Sequence, residues 1–196
     1  MRTDAPIEYE IDEQNRIATV NRAWFDEAQT AGDERLEDEH VIGRDLWELI
    51  HDRNTRHLYE TMIGRARERA LSVGFCFRCD TPDQRRLLHM ELAPRESGHV
   101  AFEVRLVESQ PREAVELLRV GRAPSDALIR MCSWCKRVPL PSGAWVEVEQ
   151  ALSATRLFEA PGPLPAITHG ICPECLDKMI AIEEGAEVVF GGLPAQ

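Results

Sequence analysis

Ile7, Tyr9 and Ile11 alternate with Glu8, Glu10 and Asp12, the period of a strand with one buried face. Asp12 to Asn15 can turn, and Arg16 to Val20 predicts a second strand that closes a hairpin. Asn21 stands where it can cap a short helix carrying Trp24 and Phe25 inward. A polar, acidic stretch from Thr30 to His40 predicts surface loop or short helices, ended by Val41-Ile42-Gly43. From Asp45 to Ala70 the apolar spacing becomes helical. Leu46, Trp47 and Ile50 form one face, and after a break near Asp52 come Leu58, Met62, Ile63 and Ala66. Period two then returns three times. Val73, Phe75, Phe77 and Cys79 share one face, as do Leu88, Met90 and Leu92, and then Val100, Phe102, Val104 and Leu106. Thr81-Pro82-Asp83 and Glu96-Ser97-Gly98 supply the turns between them.

Two strands, helices, then three strands predict an α+β fold: a five-stranded antiparallel sheet with helices on one face. Beyond it, Pro111 to Ile129 carries Val115, Leu118 and Leu128 among many charges. That pattern predicts an amphipathic connecting helix, interrupted near Gly121 to Pro124. Gly191 to Gln196 reads as a loose tail. The expected divisions are a domain over 1–110, a connecting helix over 111–130, a small C-terminal module over 131–185 and a flexible tail over 186–196.

The module is defined by its cysteines. Cys132-Ser133-Trp134-Cys135 and Cys172-Pro173-Glu174-Cys175 are two C-x-x-C knuckles in a chain with six cysteines. Each spacing lets two thiolates from one tight turn reach the same ion, and two turns close a tetrahedral zinc site with no open position. Such a site is structural, and its binding free energy becomes folding free energy for the Pro- and Gly-rich segment from Lys136 to Ile171. Cys172 can serve as N-cap, with Pro173 and Glu174 in the first turn and Leu176, Met179 and Ile180 at helical spacing before a stop at Gly185. A knuckle, an irregular segment and a knuckle opening a helix together resemble a treble-clef zinc fold. A redox dithiol pair or unrelated buried cysteines are the alternatives, and His169 could replace one sulfur. Cys76 and Cys79 repeat the C-x-x-C spacing within a strand-like run. There they point to opposite faces, Cys79 toward the core, and read as structural thiols.

The formal net charge of −11 opposes broad nucleic-acid binding. From Arg130 onward eight carboxylates face five basic side chains, so the module is acidic as well. No stretch reaches membrane-spanning length and the N-terminus lacks an apolar signal core. Paired cysteines without a secretory signal point to a reducing cytoplasm and to metal rather than disulfide. A Gly-rich phosphate loop, a nucleophile elbow and an H-E-x-x-H motif are all absent from the sequence, so the expectation is a protein without catalysis.

On its residues, the stretch from about Ile7 to Val107 resembles a PAS domain, a sensory module. The resemblance rests on the Arg16–Asn21 strand leading into Ala23-Trp24-Phe25, on Val41-Ile42-Gly43-Arg44-Asp45-Leu46-Trp47 opening the long helix, and on Phe75-Cys76-Phe77-Arg78-Cys79-Asp80. Met131 to Met179 resembles a small cysteine-rich module that follows sensory domains in bacterial signalling proteins. Met131 to Lys136, Gly143-Ala144-Trp145 and Thr168 to Cys175 carry that likeness. The resemblance implies a cytoplasmic signalling protein, a homodimer through the PAS domain and connecting helix, and a protein signalling partner. It also implies an unidentified ligand in the cleft between sheet and helices. Haem would need an axial ligand, for which His51 and His57 are candidates; His89 points away from the packed face. The flavin-adduct cysteine motif of light sensors is absent. Structural Zn²⁺ on Cys132, Cys135, Cys172 and Cys175 is the cofactor expected. A thiol redox or zinc-release switch on the same cysteines is the alternative function, and a DNA-binding regulator is opposed by the charge.

Overall fold

The N-terminal alternation becomes the hairpin β1 (Ile7–Ile11) and β2 (Ile17–Val20), with Tyr9 and Ile11 buried. These positions come from a computed structural model, which describes residues 5–31, 36, 39–50, 52–119, 121, 125–155, 163–184 and 188–194. Asn21 caps α1 (Arg22–Ala31) as its spacing predicts, its Oδ1 accepting from the Trp24 N–H at 3.1 Å. Of the Thr30–His40 stretch, the end of α1 and a 3₁₀ turn beginning at Glu39 fall within the described residues.

The helical region breaks where Asp52 predicts it. Asp45 caps the short α2 (Leu46–Leu49), and Asp52 caps α3 (Arg53–Arg69), accepting from the Thr55 N–H at 2.8 Å. Leu58, Met62, Ile63 and Ala66 are the buried face of α3, and Ala70 ends it in the left-handed region at φ 50°. Then follow β3 (Val73–Arg78), β4 (Gln84–Pro94) and β5 (Val100–Pro111). Their register aligns Phe75 with Met90 and Val104, and Val73 with Leu92, Phe102 and Tyr9, giving one apolar face toward α3. Leu106, expected on that face, is 52% exposed, lying past the last β1 pair, Ile7 with Val104.

Between this sheet and the helices the space is filled by rings. Tyr9 stacks on Phe102 at 4.4 Å and meets the edge of Trp24 at 5.1 Å, while Tyr59 lies 6.1 Å from Phe102. Burial pushes the Tyr59 hydroxyl up to about 12, and burial together with Tyr59 raises Tyr9 further, so both are neutral packing groups. At the rim, a groove of about 480 Å³ opens between α1 and the sheet, lined by Ala23, Glu27, Arg86, Leu88 and Val104.

Two expectations are corrected beyond β5. The connecting helix over 111–130 is not formed among the described residues. β5 extends through Pro111, a single 3₁₀ turn spans Glu116–Leu118, and β6 (Ser125–Cys132) begins at Ser125. The apolar side chains there serve a local core instead of a helix face. Val115 and Leu117 are buried with Met131, Val138, Val148, Ala151 and Leu152, while Leu128 is 69% exposed. Pro111, Gly121 and Pro124 also leave no run long enough for a stable amphipathic helix.

The module continues with the hairpin β7 (Val138–Pro139) and β8 (Trp145–Val146), α4 (Val148–Thr155), β9 (Pro165–Gly170) and α5 (Pro173–Glu184). The second correction is the sheet itself. Among the described residues it has six strands in the order β10-β3-β4-β5-β1-β2, because β10 (Val188–Val189) pairs parallel with β3. The stretch expected as a flexible tail thus supplies a strand and the fully buried Phe190, which inserts where apolar surface is available. Five antiparallel strands are present within it, but the sheet as a whole is mixed.

A charge network that the pattern reading missed joins sheet to module. Arg78 is fully buried, held by Asp80 at 2.6 Å and by Glu147 of the β8–α4 connection at 3.3 Å. Arg112 bridges Asp80 at 3.2 Å and Glu149 of α4 at 3.1 Å. Removing one partner of such a network strands the others without water. Asp80→Ala is therefore expected to cost about 3–5 kcal/mol in urea denaturation, whereas Glu116→Ala, which breaks an exposed pair with Arg119, should leave the denaturation midpoint unchanged.

Candidate metal centre

Parallel strands bring the two knuckles together. β6 pairs with β9 in a register that sets Arg130 opposite Thr168 and Cys132 opposite Gly170. Parallel pairing needs a long crossover, and the β7–β8 hairpin with α4 provides it. Both strands then end at the same level. Cys132 closes β6, and two residues past β9 Cys172 opens α5.

Each knuckle is fixed by its backbone. In the first, the Cys132 N–H donates to the Arg137 carbonyl at 2.8 Å and the Lys136 N–H returns to the Cys132 carbonyl at 3.1 Å. This turn drives Lys136 into the left-handed region at φ 61°. In the second, the Leu176 N–H donates to the Cys172 carbonyl at 3.0 Å and the Cys175 N–H points at Cys172 Sγ at 3.4 Å. Pro173 at the first helical position lacks an N–H that the helix could not have used, as the sequence predicts.

The result is one cluster of Cys132, Cys135, Cys172 and Cys175, all at most 1% exposed, with their sulfurs within 4.8 Å of one another. Cys135 and Cys172 Sγ are 3.7 Å apart. A tetrahedral ion with metal–sulfur bonds of about 2.3 Å has sulfur–sulfur edges of about 3.8 Å, so the separation fits. The donor chemistry fits as well. The four thiols are coupled to one another by direct hydrogen bonds, so that one gains charge at the expense of its neighbours. Four thiolates at these distances repel one another unless a cation lies among them. The four buried cysteines can hold a metal ion.

The surroundings offset the excess negative charge of four thiolates. The N-terminus of α5 faces the cluster, and Lys136 and Arg137 follow the first knuckle, Arg137 gripping Glu174 at 2.6 Å. Burial lowers Arg137, but Glu174, Cys135 and Glu147 outweigh it and keep it charged. On the other side Ser133 donates to Asp52 at 3.0 Å, tying the knuckle to the cap of α3. Burial raises Asp52, and hydrogen bonds from Thr55, Ser133 and Asn54 reverse that and hold it below its ordinary value.

Trp134 makes the deepest connection. Its ring lies 5.8 Å from Phe75, 6.2 Å from Phe77 and 5.1 Å from Phe190, so the knuckle packs directly on the sheet. The four cysteines accordingly belong to the same apolar cluster as Tyr9, Met62, Phe75 and Phe102. Gly191 follows Phe190 at φ +63°, and a Cβ there would stand 2.9 Å from Cys135 Cα and nearer still to its Cβ. Phe190 and Gly191 are the residues the sequence reading missed. The Val188-Val189-Phe190 run is a strand signal, but it is too short to stand above a tail.

Other candidates lie elsewhere. Of the α5 positions at helical spacing, Met179 is buried with Cys175 and Ile182, whereas Leu176 and Ile180 are 45% and 49% exposed. His169 is exposed and, with Asp52, Arg53, Arg56 and His57, lines an open depression beside the centre. His57 is exposed on α3, and His51 and Gly185 lie outside the described residues. Cys76 and Cys79 are half-buried and are not part of the cluster; Arg86 Nη2 lies 3.6 Å from Cys79 Sγ. No helix among the described residues is long and apolar enough to cross a membrane. No protein-family model matches the chain, and no curated protein matches it.

The left-handed turn at Lys136 gives a local test. A β-branched residue is poorly suited to φ 61°, and glycine suits it well. Lys136→Val should lose about 1–2 kcal/mol in chemical denaturation and bind metal more weakly in chelator competition, while Lys136→Gly should match the wild type or exceed it.

Proposed function

We propose that this chain is a non-catalytic cytoplasmic signalling protein of PAS type, in which Zn²⁺ on Cys132, Cys135, Cys172 and Cys175 staples a C-terminal module that presents the sensor sheet to a protein partner. The observation that carries this reading is the buried four-sulfur cluster inside the core of the sheet. A site with four sulfurs and no open position suits a structural ion rather than a Lewis acid. Zinc is the ion favoured by a closed tetrahedral thiolate set in a reducing compartment. The PAS component is supported by the element order: a hairpin, three helices and three antiparallel strands, with α3 on the apolar face.

Within this reading the zinc supplies charge neutralisation and cross-linking. Cys132 and Cys135 fix the end of β6, Cys172 and Cys175 fix the start of α5, and Trp134 carries that rigidity onto Phe75 and Phe77. A structural zinc contributes about 10–16 kcal/mol of binding free energy, which exceeds what the small Val115–Leu152 core can supply alone. The ring-filled interior leaves signal reception to surfaces such as the rim groove or to a partner chain. The homodimer and the protein partner remain part of the proposal, although the helix expected to mediate pairing is replaced by an extended segment. A thiol redox switch draws less support, because sulfurs at most 1% exposed react slowly with dissolved oxidants.

Metal analysis of protein purified under reducing conditions tests the reading, with one zinc per chain expected. Cobalt substitution should give the absorption of a tetrahedral thiolate site. Metal-free protein with four titratable thiols, or with two disulfides, would refute the staple. Cys132→Ser and Cys172→Ser should each lose metal and the near-ultraviolet dichroism of Trp134.

A further inference from the structure

The outward edge of β3 is covered by two pieces of chain that both depend on the metal centre. The Arg78 N–H donates to the carbonyl of Trp134, inside the first knuckle, at 2.8 Å. Next to it, the Phe190 N–H donates to the Cys76 carbonyl at 2.7 Å, and β10 pairs with Phe75 and Cys76. β10 has two residues and little ladder of its own. It is held by Phe190 between Trp134 and Phe75, at 5.1 and 5.9 Å, and by the close approach of Gly191 to Cys135. Both pieces that cover this edge therefore pack on Cys135 or Trp134, and Gln110 Nε2 adds a 3.2 Å hydrogen bond to the Pro194 carbonyl beyond them.

We propose, on the premise of the metal staple above, that the metal centre keeps the β3 edge closed, and that loss of the metal opens it for pairing with the β3 edge of a second copy of this chain. When the knuckle relaxes, Trp134 withdraws from Phe75 and Phe77, Phe190 loses its socket, and Gly191 loses the surface that positions it. The six residues Val73–Arg78 then present unpaired main-chain groups beside an apolar strip, the condition under which a strand recruits another. A second β3 fits this edge. Antiparallel pairing centred on Cys76 is self-complementary, sets Gly74 against Arg78 without opposing like charges, and covers Phe75 and Phe77 again.

Amide hydrogen exchange on the full chain tests this, comparing zinc-loaded protein with protein stripped by a chelator in the presence of reductant, alongside sedimentation. The expected result is that the Phe190 and Arg78 amides lose at least tenfold in protection, β4–β5 amides such as those of Met90 and Phe102 keep theirs, and the sedimenting mass doubles. Zinc-loaded Gly191→Ala provides the second arm. It should retain its zinc and the protection of Arg78 while losing that of Phe190. Stripped protein in which Phe190 and Arg78 stay protected, in which the whole sheet exchanges at once, or whose mass does not change would overturn the proposal while leaving the staple standing. Protein that never carried metal would remove the staple and this inference together.

Discussion

Four sulfurs in an apolar interior are a constraint that the rest of this molecule answers. As thiolates they repel one another, and a dication among them would remove that repulsion. The position of the cluster gives that requirement its reach. It does not sit in an appended lobe but in the same core as the sheet, with Trp134 as the shared side chain. The packing that buries the cysteines is also the packing that finishes one end of the sheet.

The charge network extends that dependence to the other side of the interface. Arg78 leaves β3 with its N–H bonded to the Trp134 carbonyl and its guanidinium bonded to Asp80 and Glu147. Arg112 adds Glu149. A buried guanidinium is tolerated only where carboxylates surround it, so these five residues fix how the sheet and α4 meet. Apolar contact alone allows two surfaces to slide; paired charges at 2.6–3.3 Å do not.

Much of this was legible in the sequence, and the parts that were not share a cause. Strong periodicity marked β1, β3, β4, β5 and α3, and the break expected near Asp52 falls at the residue that caps α3. The four cysteines that cluster followed from spacing, since C-x-x-C is a local geometric statement. The 111–130 helix failed because Val115 and Leu117 pack against Met131 and Leu152, partners that no window along the chain reveals. The parallel β6–β9 pairing, the Arg78 network and the Phe190 plug are likewise long-range. β10 was missed because a two-residue strand carries almost no propensity of its own and exists through its neighbours.

The central claim is that the metal centre and the sheet form one core, and linkage makes that measurable from the sheet side. Phe75 belongs to β3, holds no metal, and touches Trp134 and Phe190. Phe75→Leu keeps an apolar residue at that position but loses both ring contacts. If the two parts are coupled, zinc affinity measured by chelator competition should fall by about tenfold, the equivalent of about 1.4 kcal/mol. Affinity equal to that of the wild type in a protein that still folds would show that the metal site is energetically separate from the sheet, and would contradict the account.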